Sequence, residues 1–269
     1  MLAIKSNIMA ANAARHLGQS YDALAKSVER LSSGLRINSA KDDAAGMAVR
    51  ELMRADIAVL HQGVRNAQDG ISMLQTMEGA MQTIDDALVR MKQLAEQAAT
   101  GSYSSAQRAI MDSEFDEMAN EINRIATSTD FNGIKMLDNS ATVSIHFGGA
   151  TDKIDVVGSK MTKVGLGINS LNIDSAASAK AALVTLDSAI STKDSARAKF
   201  GYKMNRLEST VEVLNIQSEN LMGSESRISD VDVSTEMARM TRNQVLAQAG
   251  ISMLTQANSM PQMALQLLR

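Results

Sequence analysis

Apolar residues in this chain recur at alternating steps of three and four, in several separate stretches. Near the N terminus Leu17, Tyr21, Leu24, Val28, Leu31 and Leu35 step by 4, 3, 4, 3 and 4. That spacing is a heptad seam, one stripe of a helix turned towards a partner helix. A longer run, Leu60, Val64, Ala67, Ile71, Leu74, Met77, Met81, Ile84, Leu88 and Met91, mostly keeps the alternation. Its 3–3 step at Ile71–Leu74–Met77 reads as a stammer that overwinds a supercoil. The run predicts a helix from about Ala44 to Ala99, on the order of 80 Å long at about 1.5 Å per residue. A shorter helix follows from about Ser104 to Thr127, with Ile110, Phe115, Met118, Ile122 and Ile125 inward. From about Ser175 the pattern resumes with Leu183, Leu186 and Ile190, then Phe200, Met204, Leu207, Val211, Leu214 and Leu221. The last stripe is Met237, Met240, Gln244, Ala247, Ile251 and Leu254.

The period falls to two in one place. Val143, Ile145 and Phe147 alternate, Gly148-Gly149 turns the chain, and Ile154 and Val156 continue, which predicts a β-hairpin near 141–157. Punctuation fits this division. Gly34 suits the left-handed position after a helix, and Ser39 or Asp42 can cap the next one. Gly223-Ser224 interrupts the late pattern, and Ser229-Asp230 or Ser234 can cap the final helix. The fold expected is mainly α: a long antiparallel coiled-coil helical bundle with a small β-hairpin and its N- and C-terminal helices paired.

The stretch Asn243–Leu268 carries no formal charge. Gln244, Gln248, Gln256, Gln262 and Gln266 interrupt it and Pro261 is expected to break its register, so it does not read as a membrane span. A surface helix of a monomer normally carries charge on its outer face. One that is apolar on one side and neutral on the other implies partners around most of its circumference. Ser6–Ala14, at the other end, is likewise uncharged and rich in Ala and Met.

Composition narrows the options. Among 269 residues there are 19 Met, one Pro, no Cys, no Trp and 3% aromatics, with a net charge of −3. Few prolines favour long helices, and few aromatics favour side-by-side helix packing over a compact core. Interspersed charge and scarce aromatics argue against nucleic-acid binding. No basic n-region with an apolar block follows Met1, so no cleavable signal peptide is expected. His16, His61 and His146 fall on different elements without ligand spacing. The carboxylate clusters Asp42-Asp43, Asp85-Asp86 and Glu114/Asp116/Glu117 lack an acid or base partner. No catalytic, cofactor-binding or metal-binding residue is singled out, and an enzyme is not expected. What remains is self-association. Neutral terminal helices fit poorly in water and well among identical neighbours, and a repeated contact that does not close gives a helical filament.

Motifs then add a resemblance. Leu31-Ser-Ser-Gly-Leu-Arg-Ile-Asn-Ser-Ala-Lys-Asp-Asp-Ala-Ala-Gly46 resembles the N-terminal signature of bacterial flagellins. Phe131-Asn-Gly-Ile-Lys-Met-Leu137, Ser226-Arg-Ile-Ser-Asp230, Gln248-Ala-Gly250, Gln256-Ala-Asn258 and Leu265-Gln-Leu-Leu-Arg269 resemble further family motifs in the family's order. The likeness covers roughly 1–140 and 180–269, and the middle has room for little more than the hairpin. It implies a subunit of the extracellular flagellar filament, exported unprocessed through the flagellum-specific type III apparatus and polymerised at the distal tip. A hook-filament junction protein of the same appendage is the alternative. The resemblance further implies an inner domain of both termini, about 1–44 and 225–269, disordered before assembly, and an outer helical domain, 45–224. It implies an export chaperone and a cap protein as partners, and no nucleic acid or membrane.

Two groups of residues carry this reading. Leu17, Tyr21, Leu24, Val28, Leu31, Met240, Ala247, Ile251 and Leu254, from the terminal stripes, are the expected assembly residues. Arg90, Leu94 and Glu114 match the places of the Arg, Leu and Glu through which family members contact Toll-like receptor 5. Val89 and Gln93 depart from the polar and acidic residues usual there. Read from the residues alone, the favoured reading is that Leu94 is a core position and Arg90–Glu114 an ordinary interhelical pair.

Overall fold

A computed structural model describes residues 7–149 and 151–267. Leu268 and Arg269, the end of the last motif, lie outside the described residues, as do the side chains of Gln262 and Gln266. Five helices and one hairpin are formed: α1 (Ile8–Ser33), α2 (Ala44–Ala99), α3 (Ser105–Ser128), β1 (Thr142–His146), β2 (Lys153–Val157), α4 (Ala176–Ser229) and α5 (Val233–Leu267). The mainly α class with a small antiparallel hairpin is as expected. The chain forms two compact units, residues 1–57 with 220–269, and residues 58–219.

In the terminal unit α1 and α5 run antiparallel, with the Asn7 amide donating to the Ala257 carbonyl at 2.7 Å and the Ser27 hydroxyl to Glu236 at 2.6 Å. Asn7 caps α1, and Gly34, at φ 73°, ends it by donating to the Arg30 carbonyl. The caps expected elsewhere differ by a residue or two. Asp43, not Ser39 or Asp42, accepts from Gly46 N in the first turn of α2 at 2.9 Å. Asp232 caps α5, accepting from Ser234 N and Thr235 N and from the Thr235 hydroxyl. A carboxylate two or three residues ahead of the first free N–H groups reaches them better than a serine inside the turn. Neither Gly223-Ser224 nor Pro261 stops its helix: α4 runs on to Ser229 and α5 to Leu267.

The chain leaving α1 and the chain leaving α4 clasp each other. Arg36 N donates to the Ser229 carbonyl at 2.7 Å, Val231 N to the Gly34 carbonyl at 3.0 Å, and the Arg36 guanidinium to the Ile228 carbonyl. Two of the family-like motifs thus close a single two-residue bridge. Asp42 secures the loop behind it, accepting from Asn38 N and Ser39 N and pairing with Lys26 at 2.6 Å. The Lys26 ammonium, with help from the Ser39 and Asn38 amides, pulls the Asp42 carboxyl from 3.8 down to about 2.

In the central unit the middle of α2 packs antiparallel to α3 and α4 around Leu74, Met77, Met81, Ile84, Leu88, Phe115, Ile122, Leu186 and Phe200, all almost fully buried. The stammer expected in α2 is absent. Ala67, Gly70, Leu74, Met77 and Met81 are buried in unbroken 3–4 alternation, while Ile71 is only half-buried beside the seam. The reason is the hairpin. Gly63 and Gly70, seven apart, leave grooves for it: a Cβ on Gly63 would lie 2.2 Å from the Phe147 carbonyl oxygen, and one on Gly70 2.4 Å from Ile145 Cδ1. A glycine is invisible in an apolar stripe, so Ile71 takes its place in the pattern. In α3 it is Met111, not Ile110, that turns inward with Phe115; Ile110 is exposed. Ser104 and Gln107 form a reciprocal capping box at its start.

The register of α2 against α4 is fixed by charge. Glu78, Asp85 and Lys92, spaced by sevens, meet Arg197, Lys193 and Asp187. Lys193 sits at a core position between Leu186 and Phe200, held by Asp85 and by Asp194 at 2.7 Å. A slip of one heptad would set Lys92 against Lys193 in one direction or Asp85 against Asp187 in the other, bringing like charges together in either case.

Two predictions follow from this packing. Gly63→Ala gains helix propensity of up to about 1 kcal/mol but drives a methyl into rigid backbone, an overpacking cost of about 1–3 kcal/mol. Sterics win, so the variant is destabilised in urea unfolding; Gly79→Ala, with nothing within 4 Å, is stabilised on the same helix. For Asp42 the folded pKa lies below the unfolded one, so its stabilising effect is complete above the ordinary 3.8 and is lost as pH falls towards 2. An NMR titration should find its midpoint near 2, and Lys26→Ala should move that midpoint up towards 3.8.

Candidate assembly surface

The α1–α5 pair meets along a seam narrower than its apolar stripes. On α1 the residues turned inward are Ala10, Ala13, Leu17, Ser20, Leu24, Ser27 and Leu31; on α5 they are Glu236, Met240, Asn243, Ala247, Gly250, Leu254 and Ala257. Each set alternates by threes and fours, with larger side chains at one heptad place and small or polar ones at the other. Leu17, Leu24, Leu31, Met240, Ala247 and Leu254 therefore serve the pairing within one chain. Leu17 packs over Gly250, where a Cβ would come within 3.1 Å of its Cδ1.

Tyr21, Val28 and Ile251 stand elsewhere. Each lies one residue past a seam position, beside Ser20, Ser27 and Gly250, and remains 47–49% exposed. An apolar residue there looks like part of the stripe in the sequence, but small neighbours hold the helices close and leave the larger side chain outside. Sequence reasoning missed Ser20, Ser27, Glu236, Asn243, Gly250 and Ala257 because none is a strong hydrophobe. The usable signal was that they repeat at sevens, one residue before the apolar set.

The seam ends in a buried carboxylate. Glu236, in the first turn of α5, accepts from Ser27 and is approached by Arg239 at 3.4 Å and Arg30 at 3.8 Å. A carboxylate at a helix start is favoured by the exposed N–H groups there.

Outward, α1 and α5 present Ile8, Met9, Tyr21, Val28, Val245, Leu246, Ile251 and Met253, all exposed. Between them on α5 the hydroxyls satisfy themselves: Ser252 donates to the Gln248 carbonyl at 3.2 Å, Thr255 to Ile251 at 2.9 Å and Ser259 to Gln256 at 2.9 Å. Such a face can be covered by protein without stranding those hydroxyl donors. A large apolar area kept in water marks an interaction site.

Arg90, Leu94 and Glu114 lie in the central unit. Arg90 of α2 grips Glu114 of α3 through Nε and Nη2 at 2.8 and 2.6 Å, and both remain about half exposed. Leu94 is 1% exposed, so only the ion pair reaches the surface. Among the described residues no helix is long and apolar enough to cross a membrane, and no three His, Asp or Glu side chains gather as metal ligands.

Comparison with known proteins agrees with this architecture. Residues 4–142 match the bacterial flagellin N-terminal helical region and 183–268 the bacterial flagellin C-terminal helical region. A flagellin of Halalkalibacterium halodurans is 40% identical over 270 residues, covering 99% of both chains, and one of Bacillus subtilis is 40% identical over 303 residues, again 99% of both. The crystal structure of Bacillus cereus flagellin superposes with a TM-score of 0.50 at 32% identity, over 55% of this chain and 88% of that one. Matched at both ends and along its length, the chain belongs to the bacterial flagellin family: a structural protein, not an enzyme, that self-assembles with identical copies into the extracellular flagellar filament.

Proposed function

We propose that polymerisation runs through the terminal helices, residues 1–44 and 225–269 acting as an inner domain and 45–224 as an outer one. The observation that carries this is the outward face of α5 from Asn243 on, which is free of formal charge and whose Ser252, Thr255 and Ser259 hydroxyls are already satisfied on their own helix. Tyr21, Val28 and Ile251 are its contact residues between subunits. Leu17, Leu24, Leu31, Met240, Ala247 and Leu254 shape that face indirectly, by pairing α1 with α5. Identity of 40% along the full length with flagellins favours a filament subunit over a junction protein. Export without processing, capture of the C-terminal segment by an export chaperone and insertion under a cap protein complete the proposal, on the strength of family membership.

The test is a pair of variants. Ile251→Asp places an unpaired carboxylate where a neighbour must bury it, and seeded polymerisation should slow at least about tenfold. Deleting 250–269 should abolish both polymerisation and chaperone capture while the central helices stay folded by circular dichroism. Normal filament growth by either variant would refute the assignment.

We also propose Arg90 and Glu114 as the contact for Toll-like receptor 5, with Leu94 supporting them from beneath. The supporting observation is their exposed pairing on the α2–α3 surface, two Arg90 nitrogens donating to one Glu114 oxygen. Arg90→Ala should weaken binding of the monomer to the receptor ectodomain by roughly tenfold, the loss of about 1.4 kcal/mol. Unchanged affinity would reduce the pair to an ordinary interhelical bridge.

A further inference from the structure

The methionines are divided between the two units by exposure. In the central unit Met77, Met81, Met91, Met136 and Met161 are fully buried, and Met73 and Met111 nearly so. Every described methionine with more than about 40% of its surface open lies in the terminal unit: Met9 at 64%, Met222 at 42%, Met237 at 45%, Met253 at 63% and Met263 at 47%. With no cysteine anywhere in the chain, the thioether is its only sulfur chemistry.

We propose that these five exposed methionines form an oxidation-sensitive modification site that blocks self-assembly when it is oxidised in the free subunit. The inference rests on the reading of the terminal helices as the assembly surface: four of the five sulfurs lie on α1 and α5, and Met222 lies near the end of α4 in the same compact unit. The reaction is a two-electron transfer: the sulfur attacks one oxygen of a peroxide, the O–O bond breaks, and the products are methionine sulfoxide and water. Sulfur is oxidised, peroxide is reduced, and no further reactant is needed. The product replaces a flexible apolar tip with a strongly polar, chiral one.

Position makes this consequential. Met253 shares an exposed face of α5 with Val245 and Leu246, and the hydroxyls nearest in sequence, Ser252 and Thr255, already donate to their own helix. A sulfoxide there adds a strongly polar oxygen to a surface that a neighbouring subunit must desolvate, and neither adjacent hydroxyl is free to donate to it. In the filament the same sulfurs are covered by protein, so susceptibility belongs to the unassembled chain. The central unit, whose core methionines are closed to solvent and whose Met118 and Met204 are partly covered, keeps its fold under the same treatment.

The experiment exposes monomers and, separately, assembled filaments to hydrogen peroxide, then maps the gain of about 16 Da per sulfoxide by peptide mass spectrometry. In monomers the five sites should oxidise first, helicity should hold, and seeded growth should fall at least tenfold. In filaments the same five should be protected. Methionine sulfoxide reductases acting on both epimers should restore growth, and a variant with all five changed to leucine should grow equally well before and after peroxide. If monomers fully oxidised at the five sites polymerise at the untreated rate, the inference is wrong. It is equally wrong if peroxide still stops the leucine variant, because the damage then lies elsewhere. Should the leucine substitutions themselves impair growth, recovery of the wild type by the reductases decides the matter. Normal growth of Ile251→Asp would instead sink the assembly reading itself.

Discussion

The close approach of α1 and α5 governs the rest of the terminal unit. Half of their seam is small or polar: Ser20 and Ser27 on one helix, Asn243, Gly250 and Ala257 on the other. With little volume between the backbones, large side chains cannot interleave on both sides of the seam. The leucines take the available space and Tyr21, Val28 and Ile251 are displaced to its edges. A wider seam would bury more apolar surface within the monomer and leave less for a neighbour. The narrow seam leaves the pair incomplete, and an incomplete pair is what a polymerising subunit needs at its growing contact.

The central unit uses the same economy of volume for the opposite purpose. Gly63 and Gly70 remove two side chains from the middle of a heptad run so that Phe147 and Ile145 of the hairpin can sit directly on α2. Here the vacated space is filled from within the chain. The ion ladder centred on buried Lys193 then ties the helices to one register, because a slip to either neighbouring register brings a like-charge pair together. Breaking such a pair by removing one partner costs about 3–5 kcal/mol, whereas the intact pair adds little net stability over apolar packing. Its contribution is specificity, keeping the central helices in one arrangement.

The helices, their order and the hairpin were legible because period and punctuation are local properties. So was pairing of the two ends, since both carry neutral heptad stretches. The seam itself was legible only by half. Leu17, Leu24 and Leu31 stand out as hydrophobes, whereas Ser20 and Ser27 at the complementary places do not, and the eye moves one residue on to Tyr21 and Val28. Ile71 displaced Gly70 for the same reason and created a stammer that the packing does not contain. In each case the residue that mattered acts by being small, and smallness has meaning only once the neighbour that fills the space is known. Arg90, Leu94 and Glu114 illustrate the remaining gap: spacing left core and surface roles open for Leu94, and its burial in the folded unit closed one of them.

These features separate folding from assembly along one chain. Apolar groups that complete themselves, such as Met77, Met81 and Phe200, lie in the central unit, where charge fixes the register. On α5 from Asn243 onward, exposed apolar groups such as Val245, Ile251 and Met253 stand among neutral residues, and the Ser252, Thr255 and Ser259 hydroxyls bond their own helix. Neutrality at the contact matters as much as hydrophobicity. When many copies stack, each formal charge is repeated at every contact, and like charges brought together repel or must be desolvated. Placing charge in the central ladder and withholding it from Asn243 onward lets the same subunit be rigid alone and cohesive in number. The terminal stretch is therefore better understood as one side of an interface whose other side is supplied by the next copy.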